Sequence, residues 1–255
     1  MSEIFEKLIR DNDRVISVVG AGGKTSLMFL LAHEFQKRGR KVISTTTTRI
    51  LRPAPHQTGG LFLYEHEHFK HGLYDCLNQH GHATVAQKLI PPANKKLQGI
   101  TCELVETIVN NSPTEKMIIE ADGARNLSCK APGDNEPVVP AITDVFISMI
   151  GLDIIGKPLT DEHVFRAELV SKRTSLPMVD AVTPLTVAQL ATHPSGLLKG
   201  CPKKARSYIF LNKTDIPGSR ENVARIIEAA KQQGGRQPDF WISGSVQGNL
   251  CSLMA

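Results

Sequence analysis

No stretch of this chain approaches the ~20 consecutive apolar residues that cross a bilayer, so a membrane span is not expected. Cysteines are few and unpaired in pattern. The five (Cys76, Cys102, Cys129, Cys201, Cys251) are scattered, and no C-x-x-C occurs. This argues against a zinc ribbon or a thioredoxin-type motif and reads as buried small hydrophobes or free thiols of a reducing compartment. The opening MSEIFEKLIRDNDR has neither an apolar stretch nor a small-residue cleavage site, so export is not expected and the cytoplasm is. Aromatic residues make up only 5%, and the basic residues behind a net charge of +5 are spread along the chain. That distribution favours attraction of a small anionic ligand over a nucleic-acid footprint. No internal repeat or low-complexity tract occurs.

What is present is the composition of a globular protein, 41% hydrophobic and 22% charged over 255 residues. A chain of this length buries a core without staples. The β-branched run Val15–Val19 ends in glycines, and an apolar helical pattern follows over Ser26–Phe35, closed by Gly39 ahead of a second strand, Lys41–Thr45. Strand, helix and strand at this spacing form a βαβ unit, which requires a parallel sheet. Further strands are expected at Leu61–Tyr64, Lys116–Ala121, Val145–Ile150, Ser207–Leu211 and Phe240–Ile242. Helices are expected at Cys102–Asn110, Asp161–Lys172, Val187–Ala191 and Ser219–Gln233. The alternation predicts an α/β fold, a mostly parallel sheet with helices on both faces. Two irregular stretches, 52–60 and 125–143, are rich in Pro and Gly and read as substrate-contacting loops or as surface connections.

The chemistry begins at Gly20-Ala21-Gly22-Gly23-Lys24-Thr25-Ser26, between strand and helix. Glycines let backbone N–H groups turn toward an anion, and the helix N-terminus adds its dipole. In a phosphate loop Lys24 reaches the β- and γ-phosphates and the Thr25 hydroxyl ligates Mg²⁺. The spacing departs from G-x-x-x-x-G-K-[ST], because Val18 stands at the first glycine. It resembles the loops of Mur ligases and of deviant Walker-A ATPases, whose signature lysine is replaced here by Val19. Glu120 and Asp122, at the end of an apolar strand, are the acids expected beside Mg²⁺, Asp122 foremost, although their order of approach stays open. That segment resembles the I-E-x-x-G-x-L stretch of GTPases that insert nickel. Hydroxyls of Ser44–Thr48 read either as a switch facing the γ-phosphate or as ordinary strand residues.

A base-recognition signal lies near the C-terminus. Asn212-Lys213-Thr214-Asp215 follows a hydrophobic strand and resembles the N-K-x-D motif of GTPases. A carboxylate at Asp215 can accept from both N1–H and N2–H₂ of guanine, a donor pair that adenine lacks. The Lys213 stem can cover the ring, and Asn212 can fix base and loop. The stretch Trp241–Leu250, with Ser243-Gly244-Ser245, resembles the last GTPase motif, whose amides bind the guanine oxygen. The four-residue match alone also makes a good turn.

Taken together, these pieces resemble the YqeC-type proteins, described as accessory proteins of selenium-dependent molybdenum hydroxylases. The resemblance rests on Val19–Ser26, Ile119–Ala124 with Lys130-Ala131-Pro132, Glu136–Pro140, Gly151-Leu152-Asp153 with Gly156, His163–Arg166 and Asn212–Asp215. It implies a role in selenium or molybdenum cofactor biosynthesis, with a selenium or molybdenum enzyme or cofactor intermediate as partner, without fixing a reaction. The motifs themselves point to one P-loop NTPase-like domain over 1–255, with 52–100 as a candidate inserted segment, and to a nucleotide, GTP before ATP, with Mg²⁺ as cofactor. Within that frame Lys130, Asp153, His163 and Arg166 are candidates for holding a second, anionic ligand. Two other readings stand beside the GTPase: an ATP-dependent ligase or kinase acting on a small anion, and a nucleotide-switched binding module. Six of nine histidines (His56, His66, His68, His71, His80, His82) crowd one stretch, either as a metal-holding segment or as a solvated helix face.

Overall fold

A computed structural model describes residues 8–254. Its centre is a nine-stranded sheet. The strands are β1 (Val15–Gly20), β2 (Val42–Thr46), β4 (Leu61–Leu63), β5 (His82–Ala86), β8 (Lys116–Glu120), β10 (Val145–Gly151), β12 (Arg206–Asn212), β13 (Phe240–Ser245) and β14 (Leu250–Met254). Their order is β14-β13-β12-β10-β1-β8-β2-β5-β4, and every neighbouring pair is parallel except β13–β14. Two smaller sheets complete the set. β3 (Arg49–Leu51), β7 (Lys96–Gln98) and β6 (Lys88–Ile90) pair antiparallel, and β9 (Cys129–Lys130) pairs parallel with β11 (Val164–Phe165).

The central strands are continuous apolar runs because both faces are covered, and a two-residue alternation sends their side chains to opposite layers. Ile16 and Val18 pack with Leu27, Met28, Leu31 and Phe35 of α1 (Lys24–Lys37). Val15 and Val19 face the other layer, built from α2 (Phe69–His80), α3 (Cys102–Asn111), α4 (Ala167–Thr174), α5 (Pro184–Thr192) and α6 (Ser219–Gln233). Helices therefore cover both faces, as the alternation predicts. Among the described residues no helix is long and apolar enough to cross a membrane.

One expectation needs correction, and two open stretches take a definite form. The helix expected over 161–172 begins only at Ala167, because Arg166 is left-handed (φ 63°) and Val164–Phe165 is paired as β11. The irregular stretch 125–143 is no mere surface connection, since residues 128–133 are all buried. In 52–100, β4, α2 and β5 join the edge of the main sheet, while β6 and β7 pair with β3. The first half of the opening MSEIFEKLIRDNDR, residues 1–7, lies outside the described ones.

Candidate functional site

β1 delivers Gly20 to the C-terminal edge of the sheet, and three left-handed glycines turn the chain into α1. Gly23, the N-cap, has φ 119°, and a Cβ there would sit 2.6 Å from the Asn212 amide nitrogen. The first amides of the turn are already used. Gly20 N–H donates to Asp122 Oδ2 (3.0 Å), Ala21 to Met149 O (2.8 Å) and Gly22 to Leu127 O (3.0 Å). Leu27 N–H is the first to close onto Gly23 O, so the amides of Lys24, Thr25 and Ser26 have no acceptor within the helix. These three residues line a cavity of about 1260 Å³ and present the positive end of α1 to it.

β8 lies beside β1, with Glu120 in register with Val18, which brings both acids to the loop. The Thr25 hydroxyl donates to Glu120 Oε2 at 2.6 Å. Lys24 Nζ donates to Gly20 O at 2.8 Å and lies 3.6 Å from Glu120 and 3.4 Å from Asp122. Burial pushes the Glu120 carboxyl above the usual carboxylate range, against the pull of Lys24 and the Thr25 hydroxyl. Glu120, rather than Asp122, is the acid that sits at the Thr25 hydroxyl. Asp122 is 1% exposed and bridges backwards to Lys130 at 3.0 Å, while its Oδ1 has no hydrogen-bond partner.

On the other side, Asn212 closes the loop against the C-terminal strands. Its Nδ2 donates to Gly22 O (2.7 Å) and its Oδ1 accepts from Val246 N–H (3.0 Å). Asp215 and Ser245 line the same cavity, and a hydrogen bond from the Ser245 hydroxyl holds the Asp215 carboxyl below its ordinary value. Lys213, left-handed at φ 69°, donates to Ser128 Oγ and Asp153 Oδ2, both at 2.7 Å. Ser243 and Gly244 lie within β13, where Gly244 O accepts from Thr214 N–H, and they do not line the cavity. Val246 and Gln247, just beyond them, do.

The hydroxyl segment after β2 divides in two. Ser44, Thr45 and Thr46 are fully buried and bond to Thr84 and His82, to Val85 O and to Glu120 O, so they are strand residues and not a switch. Only Thr47 and Thr48 reach the cavity.

None of Lys130, Asp153, His163 and Arg166 lines the cavity. Lys130 is fully buried, bonded to Gly123 O (2.7 Å) and Glu136 (2.6 Å) as well as paired with Asp122. Arg166 clamps Glu136 through both terminal nitrogens (2.6 and 3.0 Å). Burial works to raise the Glu136 carboxyl, but the bonds from Arg166 and Lys130 outweigh it and hold it down to about 2. Lys24, Asp122, Lys130, Glu136 and Arg166 thus form a chain of alternating charge that reaches the cavity at Lys24 and Glu136 and otherwise lies behind its wall. His163 is half-buried in the turn before β11. Of the crowded histidines, His66, His68 and His71 are exposed, whereas His82 is buried on Ser44. Among the described residues no group of three or more His, Cys, Asp or Glu is arranged to hold a metal ion.

Sequence reasoning missed the far half of the cavity, where Arg49, Lys96, Gln98, Thr101–Glu103 and Arg125 line the wall. The irregular stretch at 125 was a signal for Arg125. For Lys96 and Gln98 there was none, because β7 is a three-residue strand with only Leu97 buried.

The model of the family described as YqeC protein matches residues 16–168. That span covers the glycine loop, Glu120 and Asp122, and the Asn212 and Ser243 segments lie beyond it. The chain is also 34% identical over 201 residues to a protein of Escherichia coli (strain K12) described as "Uncharacterized protein YqeC", covering 78% of this chain and 75% of that one. The chain belongs to the YqeC family.

Proposed function

We propose that this protein is a Mg²⁺-dependent nucleotide-binding and nucleotide-hydrolysing protein with a P-loop NTPase-like fold and a preference for GTP. In this reading its work is the maturation of a selenium- or molybdenum-containing enzyme, a role supported by the resemblance to YqeC-type proteins. The observation that carries the nucleotide reading is the Asn212 clasp. One side chain ties the glycine loop at Gly22 to the strand-end loop at Val246. In this reading the glycine loop is a phosphate cradle and the strand-end loop a base cradle within one cavity, with Asp215 and Ser245 on the base side.

In this reading the amides of Lys24, Thr25 and Ser26 bind phosphate oxygens, and Lys24 leaves Gly20 O for the β- and γ-phosphates. Thr25 and Glu120 fit a hard cation, because their donors are oxygens 2.6 Å apart at a helix N-terminus. Bound Mg²⁺ would supply neutralisation of phosphate charge there. Water activation has no strong base nearby. Glu136 is held at about 2, Glu103 is lowered by hydrogen bonds from its own amide and Thr101, and Glu120 is engaged by Thr25. Turnover by the protein alone is therefore slow.

The test is calorimetric titration with Mg²⁺ and GTP, ATP or their diphosphates, run beside Asp215→Ala. GTP preference that disappears in Asp215→Ala supports the reading. Equal or better ATP binding, unaffected by Asp215→Ala, would make Asn212–Asp215 a turn and shift the reading to a ligase or kinase.

A further inference from the structure

At about 1260 Å³ the cavity exceeds the ~300–1,000 Å³ of ordinary small-molecule sites. One nucleotide leaves part of it unfilled. The order of the parallel strands says which part. β12, β10, β1, β8 and β2 are consecutive neighbours, about 4.8 Å apart. All five run the same way, so Asn212, Gly20, Glu120 and Thr46 end at one edge in that sequence. A nucleoside triphosphate with its base at Asp215 and its γ-phosphate at Lys24 and Thr25 ends near β8. The cavity continues past β2 to the small β3–β7–β6 sheet.

That sheet has one face for the core and one for the cavity. Ile50 and Leu97 are buried, while Arg49, Leu51, Lys96 and Gln98 are exposed and line the cavity. In the antiparallel register Arg49 opposes Gln98 and Leu51 opposes Lys96, so the four form one patch with a 53%-exposed leucine among polar groups. The patch is built on a firm base. Gly99 N–H donates to Thr48 O at 2.6 Å, and a Cβ on Gly99 would lie 2.5 Å from the backbone of Thr46, Thr47 and Thr48. Arg125, left-handed and stacked over Phe165, adds a third cation to the lining. The acids give little back. Asp215 belongs to the opposite end, Glu120 pairs with Lys24, and Glu136 is already neutralised by Lys130 and Arg166, leaving Glu103 against three cations here.

We infer that this end of the cavity is a second binding site, for an organic oxyanion with an apolar body, seated beyond the γ-phosphate on Arg49, Leu51, Lys96 and Arg125. The apolar body covers Leu51 and the anionic group meets the cations. The placement beyond the γ-phosphate rests on the nucleotide reading above, whereas the anion site itself rests on the patch. Such a site suits a co-substrate held end-on to the nucleotide.

The experiment is a fluorescence titration with 8-anilinonaphthalene-1-sulfonate, a sulfonate on an apolar ring body, on the full chain with and without saturating Mg²⁺ and GDP. One saturable site that persists in the presence of GDP is expected. Arg49→Glu with Lys96→Glu weakens it by roughly tenfold or more, with GDP affinity unchanged. The charge-matched control, Lys203→Glu with Lys204→Glu before β12 at the other edge of the sheet, leaves the dye affinity unchanged. Absence of a saturable site, displacement of the dye by GDP, or indifference to the Arg49 and Lys96 substitutions would each overturn the proposal. If GDP does not bind at all, the nucleotide reading fails, and the titration without GDP still decides the anion site.

Discussion

Asp122→Ala should be among the most destabilising substitutions at this site, in the absence of any nucleotide. The carboxylate is 1% exposed and makes three contacts, with Gly20 N–H at 3.0 Å, Lys130 at 3.0 Å and Lys24 at 3.4 Å. Removing it leaves a buried amide unpaired and takes one of two carboxylates from a lysine whose side chain is fully buried. Breaking a buried ion pair from one side costs about 3–5 kcal/mol. Lys130 keeps Glu136 and Gly123 O, which argues for the low end, and the orphaned Gly20 amide argues upward by about 1–3 kcal/mol. We therefore expect a net loss of about 3–5 kcal/mol, or roughly 6–20 °C in melting temperature for a chain of this size. Asp122→Asn, which keeps an oxygen for the Gly20 amide, should fall between Ala and the parent. Thermal melts by circular dichroism decide it. A Tm for Asp122→Ala within about 3 °C of the parent would refute the view that the carboxylate anchors the loop.

Gly23→Ala must adopt φ 119° with its Cβ 2.6 Å from the Asn212 amide, a strain of about 1–3 kcal/mol. It should weaken GTP binding in calorimetry by roughly 5- to 150-fold, and adding Asn212→Ala should not restore it, because the φ strain remains. Glu120→Gln keeps an acceptor for Thr25 but loses the charge, so the Mg²⁺ needed for half-maximal GTP binding should rise by about tenfold or more. Unchanged Mg²⁺ dependence would dismiss Glu120 as the metal-side acid. Burial, with His33 adding, lowers His82 from 6.5 to about 4. Between those values the unfolded chain takes up a proton that the folded chain does not, so His82's contribution is full above pH 6.5. It declines by about 3 kcal/mol as the pH falls to 4. Urea midpoints against pH should lose most of that slope in His82→Gln; an unchanged slope would locate the acid sensitivity elsewhere.

Strands buried on both faces were the easiest to read. Val15–Gly20, Lys116–Glu120 and Val145–Gly151 are nearly pure apolar runs because no side chain in them faces water. β5 escaped notice for the opposite reason. Its five residues are just as buried, but His82 and Thr84 fill polar positions satisfied only by Ser44 across the strand pair. Periodicity cannot register a hydrogen bond to a residue 40 positions away. The helix start at Ala167 was misjudged on similar grounds: Arg166 is held left-handed beside its partner Glu136, 30 positions away, and nothing local announces it.

The same distinction runs through the site. The glycine loop could be found from local residues because its chemistry is local. Its partners could be named but not ranked, because rank depends on strand order. Glu120 reaches Thr25 through the pairing of β8 with β1, and Asn212 reaches Gly22 because β10 separates β12 from β1 by a single strand. Lys130 and Arg166 show the converse. Each is a cation near the glycine loop, yet each is saturated by acids, and their charge shapes the wall rather than the cavity. The cations that line the cavity are Lys24 and Lys213, both paired with acids, and Arg49, Lys96 and Arg125 at the far end. The last three sit on a short ribbon or in an irregular turn, where no motif marks them. Their significance comes from the cavity that strand order creates, so an account of what this protein binds has to start from the C-terminal edge of its sheet.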